Sequence, residues 1–179
     1  MTSLANTPEI TAVSKLLLNA WSAEYALRIK PVKTSREYLN SALSWVFPQA
    51  YYAALFSARA VLAVDGVNIA NPETIEKLLV QWARAGKYGP AITTDFNPFA
   101  DLLQHRITNH LQRKRLSAPE AAAIQVKLTE KVHATSVIHE TYIADRLGGD
   151  VYQSLIDTIP QYLRDSFVEA RTILILSDD

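Results

Sequence analysis

Residues 38–59 read Tyr38-Leu39-Asn40-Ser41-Ala42-Leu43-Ser44-Trp45-Val46-Phe47-Pro48-Gln49-Ala50-Tyr51-Tyr52-Ala53-Ala54-Leu55-Phe56-Ser57-Ala58-Arg59, with no charge until the final arginine. No strand is this long, since strands run to about ten residues. A membrane span needs roughly 20 mostly apolar residues. Here Asn40, Ser41, Ser44, Pro48, Gln49 and Ser57 interrupt the apolar surface. The stretch therefore predicts a helix buried on most sides, the central post of a helical bundle with no membrane contact. On that helix Ala50, Ala54, Ser57 and Val61 form a stripe of mostly small residues, which lets a neighbouring backbone approach closely. Tyr52, Phe56 and Arg59 line another side, four and three residues apart, so the arginine stands beside two rings.

Outward from this post, helix starts are plainly marked. Thr7-Pro8-Glu9, Asn71-Pro72-Glu73 and Asn97-Pro98 place a capping side chain before a proline at the first helical position. Thr34-Ser35-Arg36-Glu37 and Ser117-Ala118-Pro119-Glu120 read as capping boxes. Asp150 after Gly148-Gly149 marks a stop followed by a start. These signals predict helices at about 8–29, 35–65, 72–85, 98–115, 118–147 and 151–176, with boundaries good to roughly two to four residues. Leu17, Leu18, Trp21, Tyr25 and Ile29 recur at helical intervals in the first of them. Ile124, Leu128, Val132, Thr135 and Tyr142 form one stripe of the fifth, and Val151, Leu155, Ile159, Tyr162 and Leu163 do so in the last. Pro48 and Pro160 fall inside predicted helices and should kink them. The β-branched tail Thr172-Ile173-Leu174-Ile175-Leu176 reads as a last helical turn or two. The expected fold is all-α: an up-and-down bundle of about six helices in one domain over residues 1–179.

Composition fits that fold. Hydrophobic residues at 49% against 20% charged can fill a sizeable core and exclude a disordered chain. Eighteen basic residues balance eighteen acidic ones, which argues against a dedicated non-specific nucleic-acid binder. With no cysteine, disulfides and thiolate metal sites are excluded. The N-terminus shows no secretory pattern, so a cytoplasmic location is expected.

The segment Ala50-Tyr51-Tyr52-Ala53-Ala54-Leu55-Phe56-Ser57-Ala58-Arg59-Ala60-Val61-Leu62, followed by Gly66, resembles the second helix of HEPN domains. Ser35-Arg36-Glu37-Tyr38 is similar to the entry of that helix, and the clear likeness covers about 30 residues. The resemblance implies an up-and-down bundle, often dimeric. It implies either a metal-independent ribonuclease or toxin paired with an antitoxin, or a non-catalytic protein that binds a nucleotide, RNA or a partner such as a nucleotidyltransferase. Active members carry an arginine, four to six further residues, then a histidine. None of His105, His110, His133 and His139 follows an arginine at that spacing.

The nearest approach is Arg106-Ile107-Thr108-Asn109-His110, with three residues between. That spacing puts both side chains on one helical face. Arg113 and Lys114 extend the face, and His105 and Arg115 flank it. A guanidinium can hold a phosphate while an imidazole removes a ribose 2′-hydroxyl proton. The same residues can equally edge the core beside Phe99 and Leu103 and favour the helix dipole. Arg59 can take an anion, or pair with a bundle acid while its stem packs on Tyr52 and Phe56. Glu130-x-x-His133 has a di-iron spacing, but only one such pair exists and both residues fall off the apolar stripe, where a solvated face is expected. No metal or other cofactor is therefore expected. His139 should sit hydrogen-bonded at the core edge. Three functions remain. The first is a non-catalytic HEPN-like protein acting by association, through homodimerisation or a bound partner, nucleotide or RNA. The second is a metal-independent ribonuclease using Arg106 and His110. The third is a helical bundle with a small-ligand cavity near Pro48.

Overall fold

A computed structural model describes residues 9–29, 36–87 and 117–165, with side chains described at all of these except 36–44 and 118. The described residues hold helices and no strand, as the periodicity predicts. The helices are α1 (Ile10–Arg28), α2 (Arg36–Val64), α3 (Pro72–Arg84), α4 (Ala118–Leu147) and α5 (Gly149–Asp157), with residues 161–165 also helical. The predicted helix at 98–115 and the tail after 165 lie outside the described residues. No described helix is long and apolar enough to cross a membrane.

α2 is the post that its sequence predicts. It packs against both α1 and α4, which also touch each other, so the three enclose one core. Val46, Ala50, Ala53, Ala54, Ala58, Ala60, Val61 and Leu62 are all buried, and α1 adds Val13, Leu17 and Leu27. The alanines keep the interhelical distance short, and the branched residues fill what remains. At 29 and 30 residues, α2 and α4 each extend roughly 45 Å. α3 lies on α2, and α5 meets α4 and α1.

Several local signals act as their chemistry requires. The Asn71 side chain accepts from the Thr74 amide at 3.1 Å and caps α3, with Pro72 at its start. The Glu120 carboxylate takes both the Ser117 amide, at 2.8 Å, and its hydroxyl, at 2.7 Å, at the start of α4. Gly66, at φ 74°, ends α2. Its N–H reaches the Ala63 carbonyl at 3.0 Å and that of Val67 reaches Leu62 at 2.9 Å, the two bonds of a Schellman stop. Only a glycine takes that left-handed turn without strain.

The boundaries differ most in two places, and α5 also begins at Gly149, two positions before the expected 151. The first helix begins at Ile10 with Glu9 as its cap residue, two positions after the expected start. The expected 151–176 helix stops at Asp157, and Pro160 opens a new turn instead of kinking a continuous one. The Leu163 and Arg164 amides bond the Pro160 carbonyl at 3.0 and 3.3 Å. Proline lacks an amide hydrogen, which costs nothing in a first turn. α2, by contrast, runs through Pro48 without interruption.

The far end of the bundle is clamped by Asp65. Its carboxylate accepts from Tyr142 Oη at 2.9 Å, Arg146 Nε at 2.7 Å and Lys87 Nζ at 3.1 Å, tying the ends of α2, α3 and α4 together. Lys87 also lies 3.5 Å over the Trp82 ring. Burial alone would raise the Asp65 pKa, but these three donors hold it below the usual carboxylate range. The reverse applies to Tyr142, where burial and the neighbouring carboxylate push the phenol up to about 12.

Candidate functional site

Among the described residues, the inner face of α4 gathers a concentrated set of buried polar side chains. His133, Ser136, His139 and Glu140 are all buried there. Opposite them on α1 are Glu24, which is 0% exposed, and Trp21. Glu24 follows Trp21 by three residues and Leu17 by seven, so it occupies a core register. A carboxylate there must be fully satisfied or must give up its charge. It is satisfied: Arg28 Nη2 donates at 2.5 Å, Ser136 Oγ donates at 2.6 Å and His133 Nδ1 lies at 2.9 Å. Burial by itself would raise the Glu24 pKa; the His133 and Ser136 hydrogen bonds and the Arg28 charge outweigh it and hold the group below its ordinary value. His133 Nδ1 also lies 2.5 Å from Arg28 Nη2. One ring nitrogen cannot accept from the guanidinium and donate to the carboxylate at the same moment, so its proton decides which bond forms.

Two further links continue this seam. Trp21 Nε1 donates to Glu140 Oε1 at 2.7 Å, and Tyr152 Oη of α5 donates to Glu140 Oε2 at 3.2 Å. On the α2 side, Ser57 Oγ donates to the Ala54 carbonyl at 3.0 Å and lies 2.9 Å from His139 Nδ1. The His139 tautomer decides which of the two, ring or hydroxyl, donates in that contact. Burial pushes the His139 pKa down to about 4, so the ring is neutral near pH 7. The seam is closed on both sides by helices. Its hydrogen bonds tie α1, α2 and α5 to the inner face of α4.

His133 therefore departs from its expected solvated position. It turns inward onto Glu24, while Glu130 remains exposed. α4 lies between two helices, so it needs two adjoining inward stripes. One holds Leu128, Val132, Thr135, His139 and Tyr142; the other holds His133, Ser136, Glu140 and Ile143. His139 is buried and hydrogen-bonded, as predicted.

The outward face of α2 has the opposite character. Trp45 is 70% exposed and Tyr52 49% exposed, seven residues apart and so on one side of the helix. Tyr52 stacks on Phe56 with ring centres 5.9 Å apart, and Tyr51 meets Tyr52 edge-on at 5.4 Å. Arg59, half-buried, follows one turn on, and no acid pairs with it among the described residues. The other predicted site residues, His105, Arg106, His110, Arg113, Lys114 and Arg115, lie outside the described residues. Among the described residues no group of three or more carboxylates and histidines is placed to hold a metal ion.

Glu24, Arg28 and Glu140 were not singled out by sequence, and Trp21 was placed only in the apolar stripe of the first helix. The available signal was a charge at an apolar register, with Arg28 one turn later to answer it. The chain matches no protein-family model, no curated protein and no solved structure.

Proposed function

We propose that this chain acts by association rather than catalysis, pairing with a second copy of itself through the outward face of α2. The observation that carries the reading is the exposure of Trp45 and Tyr52 on one side of the helix that otherwise forms the core. Exposed aromatics in line are costly to leave in water and are enriched at contact surfaces. A two-fold interface uses the same patch on both partners and so requires self-complementarity. A ring-lined stripe meets that condition, and a zero formal charge puts no net repulsion between copies. The HEPN resemblance of residues 50–62 supports the same reading, because many such domains dimerise. Association with a nucleotidyltransferase, an antitoxin, RNA or a nucleotide draws support from that resemblance alone. The ribonuclease alternative rests on Arg106 and His110, on which no described residue bears.

Size-exclusion chromatography with light scattering at several concentrations tests the proposal. The chain is 19.9 kDa, so the wild type should reach twice that mass and Trp45→Ser/Tyr52→Ser should remain at the single value. A wild type that stays monomeric at every concentration would overturn it.

A further inference from the structure

At the end of α2, from Arg59 onward, the molecule has a groove of about 440 Å³ between α1, the last turns of α2 and the loop after Gly66. Its floor includes Leu16, Ala63, Val67 and Ile69. Three charged residues line it: Glu9, Lys15 and Arg59. The Schellman stop at Gly66 folds Val67 back over α2, so the floor is set by backbone hydrogen bonds and not by loose side chains. The volume falls within the roughly 300–1,000 Å³ range of small-molecule sites.

The charges select the ligand. Lys15 and Arg59 against Glu9 leave one net positive charge, and the α1 N-terminus at Glu9 and Ala12 adds the positive end of a helix dipole. No ion pair joins these three side chains among the described residues, so neither cation is held by a described carboxylate. One net positive charge suits a monoanion; a phosphate dianion would leave an excess negative charge against Glu9. A guanidinium matches a carboxylate with two parallel hydrogen bonds. The apolar floor suits a hydrocarbon body. We infer that this groove binds a small organic monocarboxylate, its apolar body on Leu16, Ala63, Val67 and Ile69 and its carboxylate held by Arg59 and Lys15.

Isothermal titration of the full chain with octanoate tests this, with octan-1-ol, octylammonium and octyl phosphate as charge variants on the same tail. Octanoate should bind, and octanol should bind at least about tenfold more weakly, the loss expected for one charge-assisted pair. Octylammonium should not bind, and octyl phosphate should be no tighter than octanoate. Arg59→Gln should weaken octanoate by about tenfold or more, and Lys15→Gln by less, because the guanidinium makes the paired bonds. Ala63→Leu should block binding by filling the floor while leaving every charge in place. It keeps the test decisive if the Arg59 variant folds poorly. Equal binding of octanol and octanoate, tighter binding of octyl phosphate, or no binding of octanoate at millimolar concentration would each overturn the inference. The readout is heat of binding at a fixed oligomeric state, so it succeeds or fails independently of dimer formation.

Discussion

The inner face of α4 and the outer face of α2 invert the usual arrangement of a bundle. The first buries two histidines, a serine and a glutamate; the second puts a tryptophan and a tyrosine into water. Both arrangements cost free energy, and the two costs are met differently. Inside, Glu24 is surrounded by Arg28, His133 and Ser136, and Glu140 by Trp21 and Tyr152. Those contacts all lie within one chain. Outside, Trp45 stands 70% exposed. A cost answered inside one molecule reads as architecture, whereas an open one reads as a surface for another molecule. This contrast makes the seam a structural element and α2 the candidate for function.

The largest expected effect tests the completeness of the seam. Glu24→Ala would leave Arg28 and His133 facing each other with no carboxylate between them. Breaking a buried charged group typically costs about 3–5 kcal/mol, and urea unfolding followed by tryptophan fluorescence should show a loss in that range. Replacing the whole set, Glu24→Leu with Arg28→Met and His133→Leu, should cost far less, because no orphaned charge remains. A Glu24→Ala loss under about 1 kcal/mol would mean that the seam is already open to water.

Acid should dismantle the same seam in two stages. His139 has its folded pKa depressed to about 4 from an ordinary 6.5. Between those values the unfolded chain binds the proton and the folded chain does not, so stability falls as pH drops from 6.5 towards 4. At about 1.4 kcal/mol per unit, the fall should reach roughly 3 kcal/mol. Glu24 then adds its own loss. Its folded pKa lies below the ordinary 4.5, so its contribution is present above 4.5 and disappears as pH falls through the lower, folded value. His139→Leu should flatten the first stage and spare the second, since Ser57 still bonds Ala54. Unfolding midpoints of wild type and variant from pH 7 to pH 3 make the comparison, and parallel curves would remove His139 as the source.

How far these two faces were legible follows from the physics of each. The uncharged run in α2 reads as a helix buried on most sides, and its small-residue stripe, Ala50, Ala54, Ser57 and Val61, is buried throughout. Caps at Asn71 and Ser117 were legible because capping is local chemistry. The seam was not, because a pairing between Glu24 and His133 spans 109 positions and depends on how α1 and α4 pack. A narrow apolar stripe on α4 was read as its whole inner face, which put His133 outside. The two-sided packing of α4 brings it in. Pro160 was read as a kink for a related reason: the helical pattern continues past it, but the residue itself is better suited to a first turn.

A smaller effect is expected at the Asp65 clamp. Tyr142→Phe removes one of three donors from a carboxylate that keeps Arg146 and Lys87. The loss should be about 1 kcal/mol, read from the shift in urea midpoint at unchanged slope. Asp65→Ala should cost more than Tyr142→Phe, because it leaves Tyr142 and both cations without their common acceptor. Equal losses would show that the phenol, and not the carboxylate, organises the clamp.

The smallest effect on stability is expected where the functional consequence is greatest. Trp45→Ser removes a side chain that already faces water, so the unfolding free energy of the isolated chain should move by no more than about 0.5 kcal/mol. A protein that pairs through this face behaves differently as concentration rises, because association stabilises only the folded state. The wild-type melting temperature should therefore climb with protein concentration while that of Trp45→Ser stays level, the two curves meeting in dilute solution. If both rise together, a surface other than this stripe is pairing. If neither rises, Trp45 bears its exposure without a second copy to relieve it, and the contrast between the two faces loses its functional meaning.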